Sequence, residues 1–518
     1  MTDMKKNYPF KFSIVVAVYN VEKYLAEAIE SILCQDIGFK ESVQLILVDD
    51  GSPDTSGQIC DKYQANYPSN IKVIHKENGG VSSARNEGLK HVEGRYINFM
   101  DSDDKISPNT LSAVYDYFST VDEQIDLVSI PLYFFEGKEG GHRLNYKFDD
   151  KKNQIIDLED KYWYVQMSGA SAFFKNEVLI SRNFDTSLKY SEDAKLIMDI
   201  LLDNPKYGIV PGAAYYYRVR SDLNSATNTC WQNKAWYIDH IRSYSFWSIH
   251  EAQKRCGIIP AFVQFNLMYE MQGFFRMKKL PTDILSHDEL TEFTELLSKF
   301  LEYIDASIIM EQKNMSMEQK DNAISMKSAC ATGILTYSDQ DEDAYIQYNG
   351  IATRPMSVYT ARLNSLTADK KELTISGSVK INTHFPEPEK IFLRLTSGDS
   401  QSREISCDFH RNPDETFVYA GKLLAQFWDF DAKIPFSELK KTILVDICLK
   451  YDSHTVRFKK IFKGNNFADD PSLDGNHISY LLDKHQLYLT RYFLVNTLKP
   501  DSEKLSFKIK KRIKSFHK

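Results

Sequence analysis

The apolar positions of the first hundred residues follow one rhythm, a short continuous apolar run followed by apolar positions at helical spacing. "KFSIVVAVYN" is such a run, and Val21, Tyr24, Leu25, Ala28, Ile29, Ile32 and Leu33 follow it, so a strand precedes a helix with Asn20 as the expected N-cap. "VQLILVDDGSPDTSGQICDKYQANYP" repeats the design, with a strand ending at Leu47 or Val48, Ser52 as N-cap, Pro53 in the first turn and Pro68 beyond the end. "IKVIHK" predicts a third strand, "VSSARNEGLKHV" a third helix and "RYINFM" a fourth strand. Strands alternating with helices predict an α/β unit: a parallel sheet with right-handed crossovers and both faces covered.

The pattern changes twice further along. Residues 231–345 are rich in aromatic, Leu and charged residues at helical spacing, with "KKLPTD" and "ILSHDELTEFTELL" marking breaks and caps, so a helical subdomain and linker follow a first domain of residues 1–230. Over 346–465 the runs become short and alternating, as in "ELTISGSVKI", "KIFLRLTSG" and "TILVDICLKY", which predicts an antiparallel β-sandwich. Residues 466–518 form a basic tail whose end, "KIKKRIKSFHK", places Ile509, Ile513 and Phe516 on one helical face. A basic amphipathic helix of that kind lies on anionic lipid, which predicts peripheral attachment to the inner face of a membrane, a simple solvated tail being the alternative.

Composition narrows the classes. With 518 residues, 42% of them hydrophobic, and a net charge of -7, the chain is long enough for several cores and too acidic overall for a nucleic-acid partner. Seven scattered cysteines form no CxxC pair, so they read as reduced thiols of a cytoplasmic protein rather than a disulfide framework. No apolar run approaches the roughly 18 residues that span a bilayer.

The candidate chemistry sits at strand ends. Ligands of open α/β sheets bind outside the carboxyl ends of the strands. Asp49 and Asp50 stand at one such end, and Asp101, Asp103 and Asp104 of "YINFMDSDDKIS" at another. Carboxylates gathered there repel unless a cation or a shared proton intervenes, and hard oxygen donors suit Mg²⁺ or Mn²⁺ better than zinc. The plainer alternative is that these residues cap the turns that follow.

Four ordered motifs, "SIVVAVYN", "LVDDGSPD", "NGGVSSARNEGL" and "INFMDSDD", with "YSEDAKLIMDIL" and "YYYRVRSDLNSAT" after them, resemble the inverting family 2 glycosyltransferases. The chain departs from the family at Ala17, where proline is common, and it lacks the histidine that some relatives place among residues 211–229. The resemblance implies a GT-A fold, a Rossmann-like and mostly parallel sheet. It also implies a hexosyl- or N-acetylhexosaminyl-transferase that uses a UDP-sugar. In that reading Tyr19 stacks on the base, Asp50 accepts its ring N–H, and Asn78 and Arg85 make further polar contacts, a structural ion pair being the alternative for Arg85. "DSD" resembles the family's DxD motif, in which Asp103 ligates Mn²⁺ or Mg²⁺ and Asp101 holds the ribose or supports the metal. Asp193 is the expected base and Glu192 orients sugar or acceptor, although Ser191 as a helix cap followed by two acidic residues also has an ordinary structural explanation. Arg220 and Ser225 are expected to close over the donor.

The organisation is similar to that of wall teichoic acid or capsule glycosyltransferases, which implies a polysaccharide or lipid-linked glycan acceptor. The β-module suits polymer binding or a homo-oligomer. Trp163 and Tyr164 are the candidates for an acceptor wall. Two other classes share part of the signal. A haloacid-dehalogenase-like phosphatase would use Asp101 as nucleophile, but Lys105 stands where that family has Thr or Val. A non-catalytic nucleotide-sugar or polymer-binding protein would not need every acidic position filled.

Overall fold

The computed structural model describes residues 8–220, 229–277, 281–327 and most of 334–491. It divides into two compact units, 1–271 with 281–304, and 272–280 with 305–518.

In the first unit the four predicted strands are β1 (Phe10–Val18), β2 (Val43–Asp49), β3 (Ile71–His75) and β4 (Gly94–Asp101), all mutually parallel where they pair. Four more strands complete an eight-stranded sheet: β5 (Leu127–Ser129), β6 (Gln154–Asp157), β7 (Ala172–Lys175) and β8 (Lys206–Ile209). The order is β3-β2-β1-β4-β7-β5-β8-β6, with β7 antiparallel to both β4 and β5. The chain runs outward from β1 to β3 and then returns to β4 on the other side of β1, so a topological switch point falls between β1 and β4. Every residue of β2 is buried, as expected for a strand covered on both faces.

Helices Leu25–Leu33, Ser56–Asn66 and Val81–Leu89 follow β1, β2 and β3. Leu25, Ala28, Ile29 and Ile32 bury the stripe that the spacing predicts. At Gly88 a Cβ would stand 2.4 Å from Val15 Cγ1, so glycine is what lets the Val81–Leu89 helix lie directly on β1.

The first two helices begin later than expected, at Leu25 and Ser56 rather than beside Asn20 and Ser52. Tertiary bonds between the loops win over local capping. Ser52 Oγ accepts from Asn20 N, Asp54 accepts from Glu22 N, and Glu22 accepts from the backbone and hydroxyl of Thr55. Asn20 itself turns left-handed, with φ 51°. The loops after β1 and β2 are thereby fastened together at the carboxyl edge of the sheet.

Helices Trp247–Cys256, Ala261–Met271 and His287–Glu302 belong to the same unit. The last starts in a capping box between Ser286 and Glu289, within the "SHDE" that marked a cap in the sequence.

The second unit carries the antiparallel β-module. Strands Ile334–Ser338, Asp343–Tyr348 and Ile351–Ala352 form a small sheet of their own, and ten further strands join in one curled sheet. The long strand Ser402–Tyr419 changes partner midway, pairing through Ser402–Ser406 with strand Lys390–Ser397 and from Cys407 onward with strand Lys422–Pro435. A strand shared in this way is how a sheet turns a corner. Within the segment expected to be tail, Ile478–Asp483 and Gln486–Arg491 pair as a hairpin; the basic end from 492 lies outside the described residues.

Candidate active site

The carboxyl edge of the sheet carries two groups of polar side chains. In the first, Asp50 follows β2 and points at the start of the Val81–Leu89 helix. Its carboxylate accepts from Gly79 N at 3.0 Å and Gly80 N at 2.7 Å, and pairs with Lys76 Nζ. A carboxylate there also meets the positive end of the helix dipole. Asn78 is exposed beside it, and Tyr19, at the end of β1, leaves half of its surface (51%) open to a ligand. Asp49 turns away from this group to bond Ser52 N and His75, whose other ring nitrogen meets Asp61.

The second group is centred on Arg85. Its side chain is 4% exposed, yet three carboxylates reach it: Asp101 Oδ1 at 2.8 Å, Glu192 Oε1 at 3.0 Å and Asp193 Oδ1 at 2.6 Å. Through these ion pairs Arg85 joins the end of β4 to the start of the Glu192–Asp203 helix. Burial alone would lower the guanidinium pKa, and the three carboxylates more than reverse that. Burial pushes the Glu192 carboxyl up to about 7, with the Asp193 charge adding and Arg85 opposing. Burial likewise raises Asp101 to about 6, against the pull of Arg85 and with the charges of Asp193 and Asp103 adding.

Asp193 has a second anchor, because its Oδ2 accepts from Gly169 N at 2.9 Å. A Cβ at residue 169 would stand 2.9 Å from Asp193 Cγ, so only glycine allows this approach. The expected capping by Ser191 does not occur. Ser191 adopts a left-handed conformation and makes no side-chain bond to its own helix.

Asp103 and Asp104 diverge. Asp103 Oδ2 pairs with Arg220, from Nε at 2.7 Å and Nη2 at 2.6 Å. Asp104 is buried, accepting from the Tyr215 hydroxyl and from Arg218 N, and burial holds its carboxyl well above the usual range. It fastens the turn after β4 to strand Tyr215–Val219, while Arg218 bonds Glu27, Glu136 and the Asp103 carbonyl. Ser225 lies outside the described residues.

Among the described residues no three His, Cys, Asp or Glu side chains gather as a ready metal cage. Asp101 and Asp103 each have one oxygen held by an arginine, leaving the other for a cation. That donor set fits Mg²⁺ or Mn²⁺, which commonly take one or two carboxylates and complete their shell with water and substrate phosphate.

Comparison with known proteins identifies the family. A family model described as glycosyl transferase family 2 matches residues 13–181. The minor teichoic acid biosynthesis protein GgaA of Bacillus subtilis (strain 168) is 36% identical over 315 residues, covering 60% of this chain and 70% of its own. The chain belongs to glycosyl transferase family 2. Its first sheet is the GT-A, Rossmann-like arrangement of that family. A second relative, the minor teichoic acid biosynthesis protein GgaB of the same strain, is 32% identical over 518 residues, 99% of this chain. The chain spans a little over half, 56%, of GgaB. Among solved structures, S. aureus TarS gives a TM-score of 0.48 at 19% identity, over 94% of this chain and 86% of its own. By sequence TarS, named poly(ribitol-phosphate) beta-N-acetylglucosaminyltransferase, is 28% identical over 214 residues, 41% of this chain and 36% of its own.

Within this family 2 site, the sequence reading missed Gly169 and Lys76. A glycine bound to a carboxylate 24 residues later leaves no local pattern. Lys76 directly precedes "ENGG", close enough to Asp50 only because β2 and β3 are neighbours. Trp163 and Tyr164 pack edge-on against one another beside Tyr162 and Tyr146. Trp236 contacts Tyr190 and Trp231.

Proposed function

We propose that this chain is a metal-dependent, inverting glycosyltransferase that moves a sugar from a UDP-sugar to a hydroxyl of a cell-envelope polymer such as wall teichoic acid. The observation that carries the reading is the buried cluster in which Arg85 holds Asp101 beside Glu192 and Asp193. Three carboxylates meeting one arginine at the switch of the sheet support a reading in which Asp101 serves the donor and Glu192 and Asp193 the acceptor. The polymer acceptor is supported by the names of the relatives, two of them teichoic acid biosynthesis proteins.

Tyr19 offers its open ring to the base. Asp50 would accept a base N–H by sharing oxygens that Gly79, Gly80 and Lys76 also bond, and Asn78 lies within the same edge. Asp101 holds the ribose or supports the cation, which Asp103 would ligate. A divalent cation held there would stabilise the charge that gathers on departing UDP. Asp193 removes the proton of the acceptor hydroxyl. The freed oxygen forms a bond to the anomeric carbon while the bond from that carbon to the pyrophosphate breaks on the opposite face. The electron pair leaves with UDP, and the configuration inverts. Arg85 and Gly169 N keep Asp193 aimed, each bonding one of its two oxygens and leaving further lone pairs for the proton. Glu192 orients sugar or acceptor. Arg220, resting on Asp103, moves with Ser225 to cover the pyrophosphate. The basic tail brings the enzyme to the anionic cytoplasmic face of a membrane, where a lipid-linked acceptor would be found.

The test is a screen of purified protein against UDP-sugars with Mg²⁺ or Mn²⁺ and teichoic-acid-type acceptors, following UDP. Cation-dependent UDP release with one donor supports the reading. No binding and no release with any donor would count against it, and phosphate release from small phosphoesters, abolished by Asp101→Asn, would point to a phosphatase.

A further inference from the structure

The residue before the Glu192–Asp193 pair is held in an unusual way. Ser191 has φ 62° and ψ 22°, a left-handed conformation that side-chain-bearing residues rarely adopt. A serine at this position ordinarily takes extended backbone and bonds the first turn of its own helix. Here its hydroxyl donates instead to Glu270 Oε1 at 2.7 Å and lies 3.3 Å from His240 Nε2. His240 Nε2 and Glu270 Oε1 are 3.6 Å apart, so the three side chains converge. Glu270 ends the Ala261–Met271 helix, and His240 precedes the turn Ile241–Phe246. His240 is fully buried between the rings of Trp236 and Tyr244, and burial pushes its pKa down to about 3, so the imidazole is neutral. Burial also raises Glu270, with the Ser191 hydrogen bond opposing.

We infer that Ser191, Glu270 and His240 form a positioning lock, built from the helical part of the first unit, that sets the aim of Glu192 and Asp193. The inference rests on the transferase reading for its catalytic consequence, but its structural half stands on the geometry of Ser191 alone. By drawing the hydroxyl away from the helix, Glu270 keeps the chain in its left-handed entry. That entry fixes the direction in which the first-turn carboxylates leave the backbone. With the hydroxyl released, Ser191 returns to extended capping geometry, and Glu192 and Asp193 turn away from Arg85. Ser191 and Glu270 are positioning residues here, because neither touches the reacting atoms.

Two substitutions separate the hydrogen bond from the backbone. Ser191→Gly keeps the left-handed entry accessible and removes the hydroxyl. Ser191→Asn keeps the left-handed entry and a donor for Glu270, since asparagine tolerates that conformation and its amide can donate. Ser191→Gly and Glu270→Leu are expected to lower kcat at least tenfold with donor KM unchanged. Ser191→Asn is expected to restore most of kcat. Hydrogen–deuterium exchange at residues 192–195 should quicken about tenfold in Ser191→Gly and return in Ser191→Asn, with the strands of the sheet unaffected. Unchanged exchange at 192–195 would overturn the lock, as would kcat and donor affinity falling together. Wild-type protein that transfers no sugar would sink the transferase reading alone, because the exchange measurement still decides the lock.

Discussion

Arg85→Met removes the single cation that holds Asp101, Glu192 and Asp193 together. The guanidinium is 4% exposed, with its Nη1 on Glu192 and Asp193 and its Nη2 on Asp101. Removing one partner of a buried ion pair costs about 3–5 kcal/mol, because charge is left buried and uncompensated. For a unit of this size that is a fall in Tm of roughly 10 °C, at about 2–4 °C per kcal/mol. The loss should depend on pH. Glu192 already stands at about 7 with Arg85 present, and without it the carboxylates take up protons more readily, so acid relieves the repulsion. Thermal melts of wild type, Arg85→Lys and Arg85→Met at pH 5 and pH 8 measure this. Arg85→Met should lose more at pH 8 than at pH 5. Arg85→Lys should fall between, since one ammonium cannot serve both sides as two guanidinium nitrogens do. A deficit equal at the two pH values, or larger in acid, would refute the cluster as the seat of the effect.

Other outcomes are specific. Gly169→Ala forces a Cβ to within 2.9 Å of the Asp193 carboxyl carbon and should lower kcat about 100-fold with donor binding retained, measured by UDP release and calorimetry. Asp103→Asn should weaken UDP binding in the presence of Mn²⁺ but not in its absence; equal loss in both would give Asp103 a purely structural part. Glu192, raised from 4.5 to about 7, binds its proton more tightly folded than unfolded, so its contribution to stability is full below pH 4.5 and lost as pH rises through 7. His75, raised from 6.5 by Asp49 and Asp61, acts in the same direction at higher pH. Tm should therefore decline from pH 5 to pH 8, and Glu192→Gln should flatten that decline.

Much of this architecture is legible in the chain because its signals are local. β1 to β4 appear as continuous apolar runs, and the carboxylates of "DSDD" and "YSED" stand directly at a strand end and a helix start. What escapes is long-range. The starts of the helices at Leu25 and Ser56 are set by bonds that Thr55 donates to Glu22 and that Glu22 N donates to Asp54, which no propensity encodes. Arg85 reads first as a ligand contact, with an ion pair as the alternative, and its contacts with Glu192 and Asp193 appear only when the fold brings them together. Asp104, the carboxylate with the least evident purpose in its motif, is defined by Tyr215 and Arg218, which reach it from a strand more than a hundred residues later. The segment Ser402–Tyr419 reads as parts of two short strands, "REISCDFH" and "TFVYAGKLL", and only the pairing shows one strand that serves two partners.

The central claim is that Asp193 performs the proton removal of a glycosyl transfer while taking no part in holding the donor. Asp193→Asn, assayed in parallel for UDP-sugar binding by calorimetry and for transfer to acceptor, tests it most directly. The account predicts binding within about threefold of wild type and transfer reduced by 10²-fold or more. Loss of both would contradict it, as would transfer that persists.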